Sequence, residues 1–366
     1  MIAVLSNLLQ AATGKGAYSV TVPPMDGALR PNSALDALPL VQAIADVDNL
    51  ATLHDQLLYS SGRSLLTCRM DGTGMRKVTD FEAPVSALAT REDGVVAVAL
   101  DDGSLVLTDL QGSRLRRLKC IEGAGAGSVT ALAFDPSGSI YGCVGSSVHR
   151  ASAWKRDLME KGITGTLWRI HPQDLSAIQL ARGLAFPNGI AFDRDGVPLV
   201  SEAWRHRIVS VSGNGRMRAC VDDLPGYPGR LCPAAGGGFW LSVFAPRSQI
   251  VEFVLREDDY RRRMMREVPE DYWLAPSLRS GKNHLEPLQG GAIRQLGIHK
   301  PWAPSFSYGL LVRLDPQCQP VDSWHSRADG DRHGVTSSVE HAGRILVACR
   351  GGGVILHTCS TRGAEA

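Results

Sequence analysis

Pro187-Asn188-Gly189-Ile190-Ala191-Phe192-Asp193-Arg194-Asp195-Gly196-Val197-Pro198-Leu199-Val200 is the stretch on which the fold of this chain turns. Two short apolar runs flank an Asp- and Gly-rich turn, the pattern of a β-hairpin. Similar runs begin at Asp48-Asn49-Leu50-Ala51, Val85-Ser86-Ala87-Leu88-Ala89, Val129-Thr130-Ala131-Leu132-Ala133-Phe134, Pro228-Gly229-Arg230-Leu231-Cys232 and Gly334-Val335-Thr336-Ser337-Ser338-Val339. Turns such as Glu92-Asp93-Gly94, Asp135-Pro136-Ser137-Gly138 and Ala235-Gly236-Gly237-Gly238 follow them. The first five starts lie roughly 40 residues apart, the length of one four-stranded unit, and neither a helical nor a βαβ period competes.

Six such units predict an all-β fold, a six-bladed β-propeller. Residues 37–360 form it, after an extended lead-in over 1–36 and before a frayed tail over 361–366. A strand near Leu38–Ile44 is expected beside Gly353–Thr358, because a ring closed in this way leaves no open sheet edge. The spacing breaks between the fifth and sixth starts. There the charged segment Arg256-Glu257-Asp258-Asp259-Tyr260-Arg261-Arg262-Arg263-Met264-Met265-Arg266 marks a helical insertion in the fifth blade, residues 252–304, which serves as a lid over one face or as cover for a blade edge. A second excursion, Ala151–Gly165, is expected at a blade edge.

With 366 residues, 44% apolar content, 39 Gly and 20 Pro, the chain has the composition of a globular protein with many turns. Basic residues exceed acidic ones by only two, and the clusters Arg114–Lys119 and Arg261–Arg266 are short, so nucleic acid is not an expected partner. Met1–Val20 has no basic start and no sustained apolar run, so neither a cleaved signal nor a membrane span is expected. Eight scattered cysteines without a CxxC pair suit buried free thiols in a reducing, cytoplasmic compartment.

Leu184-Ala185-Phe186-Pro187-Asn188-Gly189-Ile190-Ala191-Phe192-Asp193 with Ser201-Glu202-Ala203-Trp204-Arg205-His206-Arg207-Ile208 resembles the fourth-blade signature of the strictosidine-synthase-like and gluconolactonase-like superfamily. The resemblance extends through Asp223–Pro228, Gly237–Leu241, Tyr308–Leu310 and Val335–Gly343, and covers about residues 40–360. It implies a site at one mouth of the central channel. The metal-dependent lactonases in that superfamily hold Ca2+ or another divalent metal through a Glu of blade one, an Asn of blade four and an Asp of blade five. Here Asn188 is retained, Asp48 or Asn49 stands at the first position, and Gly229-Arg230 replaces the fifth-blade acid, so a guanidinium opposes a cation there. The amine-condensing relatives place a carboxylate on the last inner strand, where this chain has Thr336.

Strand starts in a propeller point into the channel, so Asp48, Asn49, Ser86, Thr130, Asn188, Arg230 and Thr336 are expected to form a polar ring, either as a site or satisfying backbone groups and water. Glu202 and His206 either work as a general-base pair on one strand face or form a turn, and His333 near the mouth is a second candidate base. Arg230, Arg247 and Arg350 could make an anion-recognising rim. Two functions follow from different classes. One is a hydrolase acting on a small ester, lactone or related electrophile; the other is a non-catalytic propeller that captures an anionic small molecule or a protein.

Overall fold

Hairpins whose strands are buried on both faces cannot stand alone, and here they stack radially. The computed structural model describes residues 22–281, 285–287, 294, 295, 298, 299 and 305–358. Among them are six four-stranded antiparallel sheets. Their innermost strands are Val47–Leu53, Val85–Thr90, Val129–Phe134, Pro187–Phe192, Gly226–Pro233 and Val335–His341, one at each start read from the sequence. The all-β, six-bladed propeller with a helical insertion in its fifth blade is therefore the fold.

The core is a set of seams between neighbouring blades rather than one central mass. Val47, Leu57, Tyr59, Leu346, Ala348 and Ile355 fill the seam between blades six and one. Ala97, Ala99, Leu105, Ile140 and Ile170 fill that between blades two and three. Each fully buried aliphatic chain contributes about 1.5–3 kcal/mol, so the ring is stable only when every seam has both walls.

Closure supplies the last wall. The strand Leu40–Ala43 pairs antiparallel with Val354–His357, with Leu40 opposite Leu356 and Ala43 opposite Val354, and completes blade six from the other end of the chain. The segment before it forms a strap along the outer strand of blade five, Pro320–Ser326. Asn32 donates to the Ser323 carbonyl at 2.8 Å and accepts from the His325 N–H at 3.0 Å, Ser326 donates to Asp36 at 2.7 Å, and Leu35 is fully buried. This covers an edge that would otherwise recruit another strand. The part of the expected lead-in before residue 22 and the expected tail lie outside the described residues.

One irregularity recurs in all six blades. The register between the innermost strand and the next slips just after its start, past Asn49-Leu50, Ser86, Thr130, Asn188, Gly229-Arg230 and Thr336. Such a bulge leaves its extra residue out of the ladder and re-aims the side chain. Gly189, beside the fourth bulge, has no room for a Cβ because the Gly229 carbonyl and Ser201 Oγ crowd it. Glycine there lets the inner strands of blades four and five meet.

A variant lacking residues 1–45 should lose both strap and closing strand. The expected result is a thermal midpoint lower by roughly 10 °C or more and concentration-dependent association through the bared Val354–His357 edge, read by calorimetry and light scattering.

Candidate functional site

Five of the bulged residues gather at one mouth with Asp48, which stands opposite Ser60 just before the first bulge. Asp48, Ser86, Thr130, Asn188, Arg230 and Thr336, one from each blade, line a cavity of about 200 Å³ together with Asp101, Ser152, Trp154, Phe186, Phe244, Leu278 and Arg350. Asn49 is turned away. Its backbone adopts the left-handed conformation (φ 55°), which Asn tolerates, and its amide donates to Ser60 Oγ at 2.8 Å.

Arg230 lies across the channel axis. One guanidinium nitrogen donates to Asp48 Oδ1 at 2.9 Å and to the Thr336 carbonyl at 3.1 Å, and the other donates to the Ser86 carbonyl at 2.9 Å. A single side chain from blade five therefore ties blades one, two and six. Arg350, 41% exposed, reaches the second oxygen of Asp48 at 3.3 Å. Burial pushes the Asp48 carboxyl up, but the charges of Arg230 and Arg350 outweigh it and hold the group below the usual carboxylate range. Beyond Arg230 the channel widens into a second space of about 400 Å³, lined by apolar residues such as Leu88, Leu132, Ile190 and Val339 and by polar ones such as Thr90, Ser338 and Glu340. Arg230 touches both spaces and divides them.

The polar floor faces an aromatic wall. Trp154 meets Phe244 edge-on at 5.5 Å between ring centroids, and Phe186 stacks at 4.5 Å on Trp204 behind it. Trp154 opens helix α1, Trp154–Met159, inside the excursion Ala151–Gly165. That excursion sits at the mouth and not merely at a blade edge, because Trp154 has an aromatic pocket to enter. The blade-five insertion reaches the same mouth. Helices α2, Gln249–Arg256, and α3, Asp258–Glu267, bring Val251, Val254 and Met264 into one apolar cluster with Trp273, Phe306, Phe244 and Phe186, and Leu278 lines the cavity. The remainder of the segment read as 252–304 lies partly outside the described residues.

Several residues singled out in the sequence are held elsewhere. Glu202 is completely buried at a strand end, where it accepts from the Ala185 N–H at 2.8 Å, Arg205 at 2.8 Å and Arg207 at 2.6 Å. His206 is not on the same strand face. It follows a turn at φ 50°, binds the Gly226 carbonyl through Nδ1 at 3.1 Å and packs on Tyr227. Arg247 is an internal tie and not a rim residue, 2.6 Å from Asp223 and 3.2 Å from Glu252, with its side chain 8% exposed. His333 is locked between Ser307 Oγ at 2.8 Å and the Arg327 carbonyl at 2.7 Å. None of the four lines the mouth cavity.

Asp101 was not legible from its motif, since Asp101-Asp102-Gly103 reads as an ordinary turn. It stands directly after the second strand of blade two, the position that Arg350 holds in blade six. The Asn188 side chain faces the Gly229–Arg230 bulge, and Thr130 is shared between the carbonyls of Cys143 and Pro187.

A hard divalent cation wants several oxygen ligands and negative charge. Asp48 is the only carboxylate of the proposed set and both of its oxygens are taken by guanidinium groups; Asn49 Oδ1 has no hydrogen-bond partner, but Asn49 does not line the cavity. Among the described residues no cluster of three or more His, Cys, Asp or Glu could hold a metal. The residues do not fit such an ion.

This architecture defines a propeller that presents a polar site at one end of its channel. Residues 60–250 match the SMP-30/gluconolactonase/LRE-like region, over half of the chain, and the protein belongs to that family. It is 33% identical over 108 residues to the adipocyte plasma membrane-associated protein of Salmo salar and 32% identical over 108 residues to that of Danio rerio. That stretch spans 26% of this chain and 26% of each relative. Among solved structures, a gluconolactonase from Xanthomonas campestris superposes with a TM-score of 0.56 at 16% identity, covering 92% of this chain and 97% of that one. Regucalcin from Agrobacterium tumefaciens, described as a calcium-binding protein, gives 0.55 at 13%, covering 88% and 92%. At these identities the likeness is one of fold. Among the described residues no helix is long and apolar enough to cross a membrane.

Three buried histidines set an acid limit on stability. Burial, reinforced by Arg247, pushes His206 down to about 3, burial pushes His325 down to about 4, and burial lowers His333. His206 and His325 stay neutral in the fold down to about pH 4, whereas in the unfolded chain each titrates near 6.5 and binds a proton the fold refuses. Stability is therefore full above pH 6.5 and is lost as pH falls from there towards 4, by up to about 1.4 kcal/mol per pH unit for each of these two, and His333 adds in the same direction. Thermal midpoints between pH 7 and 5 should show this slope, and His206→Asn, which suits the left-handed backbone, should reduce it.

Proposed function

We propose that this protein is a hydrolase of small esters or lactones that works at the mouth cavity with guanidinium groups in the place where relatives are described with a metal. The observation that carries the reading is the Arg230–Asp48–Arg350 group on the floor of a water-sized to small-molecule-sized cavity. Arg350 keeps donors free towards the cavity and stabilises the oxyanion that forms when a carbonyl is attacked, a role in which one charged donor is worth about 100-fold or more in rate. Arg230 holds Asp48 ionised. The ionised Asp48 orients the attacking water through a remaining lone pair; as the water oxygen bonds to the acyl carbon and the carbon–oxygen bond breaks, the proton of the water passes to the leaving oxygen. The products are a carboxylate with its proton released and an alcohol, or one hydroxy acid from a lactone. Asn188 and Ser86, whose buried Oγ has no protein partner, orient the water and substrate oxygens.

The same charge pattern supports a substrate with an electron-rich or anionic group at Arg350. The thiols, with Cys68, Cys143 and Cys349 buried apart from other cysteines and Cys318 free although it lies beside Cys220, support the reading of a reducing, cytoplasmic setting.

Chelator-washed protein should hydrolyse members of a lactone and short-ester panel, and metal analysis after calcium reloading should find no stoichiometric ion. Arg350→Met should lower kcat/KM about 100-fold with little loss of stability, since that side chain is half exposed. Asp48→Asn should abolish turnover, and Arg230→Met should in addition cost about 3–5 kcal/mol because it breaks a buried pair. His206→Asn should leave kcat/KM unchanged. Activity lost on chelation, or a panel with no substrate, would reject the proposal.

A further inference from the structure

Asp101 is 8% exposed and lines the cavity, yet among the described residues no Lys, Arg or His forms an ion pair with it. Its neighbours are neutral. Oδ1 accepts from the Ser152 N–H at 3.0 Å and from Ser128 Oγ at 3.2 Å, and Oδ2 accepts from Ser152 Oγ at 2.6 Å. A carboxylate has about four acceptor positions, so Oδ2 retains one. Leaving a buried charge without an opposite charge is costly, and such a group in a cavity marks a place where a ligand supplies the missing charge.

Its surroundings specify that charge. Ser152, which donates to the carboxylate, lies two residues before Trp154, so the hydrogen bonds to Asp101 tie the segment that carries the indole, and Trp154, Phe186 and Phe244 form the adjoining wall. An aromatic face and an anion together attract a cation that also carries apolar surface. The remaining charges complete the pattern. Arg230 and Arg350 share Asp48, which leaves an excess positive charge on the floor, while Asp101 leaves an excess negative charge beside the aromatic wall.

We propose that Asp101 and the Trp154–Phe186–Phe244 wall form an ammonium-binding subsite, so that the substrate is an ester or lactone bearing an alkylammonium group. This deepens the hydrolase reading and rests on it for the word substrate, but the binding claim stands by itself. Asp101 is then a specificity-determining residue. Its contacts also satisfy the N–H of Ser152 at the start of the Ala151–Ala153 turn, a structural duty that Asn fulfils equally well. Asp101→Asn therefore removes the charge and keeps the acceptor.

The test compares n-butylammonium with 1-butanol, which have the same number of heavy atoms, by isothermal titration against the full chain. The ammonium should bind at least about 10-fold more tightly, the scale of a charge-assisted hydrogen bond. Asp101→Asn should bring it to the level of the alcohol and leave the alcohol unchanged, which also reports that the cavity is intact. Trp154→Leu, with Asp101 in place, should weaken the ammonium about 5-fold. Equal binding of the two probes, or an ammonium affinity untouched by Asp101→Asn, would reduce Asp101 to a turn cap and overturn the proposal. So would a kcat that falls with KM constant on an ammonium ester, because Asp101 would then be moving a proton. Ammonium binding without hydrolysis of any ester would instead defeat the hydrolase reading and leave the subsite standing.

Discussion

Removing a guanidinium from water costs several kcal/mol unless its donors and its charge are answered, and Arg230 is answered at the axis of the ring. Asp48 meets the charge, and the carbonyls of Ser86 and Thr336 meet the remaining donors. Three other blades are thereby referred to one side chain from the fifth. Propeller blades contact mainly their neighbours, so this cross-axis tie is the means by which non-adjacent blades sense one another. The cavity floor, the division of the channel and the ionised state of Asp48 all depend on it.

The bulges make that tie possible. A regular ladder would alternate side chains between the two faces of each sheet, and both faces are committed to seams. Skipping one or two residues near the start of every inner strand frees Ser86, Thr130, Asn188, Arg230 and Thr336 from the ladder, and Asp48 joins them from the pair just before the first bulge. These six residues are chemically unequal: one acid, one base and four neutral polar groups from the strands. The loops then add Asp101, Arg350 and the aromatic wall. A symmetric scaffold thus carries an asymmetric site because the strand ladder does not dictate what occupies a bulge.

Much of this was legible in the residues. The six strand starts, the closing strand near Leu38–Ile44 and the axial ring from Asp48 to Thr336 follow from hairpin periodicity, since burial on both faces leaves a strong apolar signal. Arg230 stood out because it replaces an acid that metal-dependent relatives carry. What escaped depends on tertiary approach. Even spacing suggested that Glu202 and His206 share a strand face, but the strand ends at Glu202 and the chain reverses before His206. Arg247 and Arg350 are both arginines after second strands, and only the local acids decide that one is an internal tie and the other a rim residue. Asp101 and Trp154 are brought together across about fifty residues of chain, and no local pattern announces it.

The closing strand also gives the ring a mechanical character. Leu40–Ala43 and Val354–His357 run antiparallel, and the two chain directions leave the pair from the same end, beside the bond from the His357 N–H to the Pro39 carbonyl. Tension applied through both ends of the chain would load these hydrogen bonds one after another, as in a zipper, and not all at once in shear. The strap over blade five lies in series with this zipper and would have to peel first. Force would thus open the molecule at blade six while the seams around Arg230 were still closed.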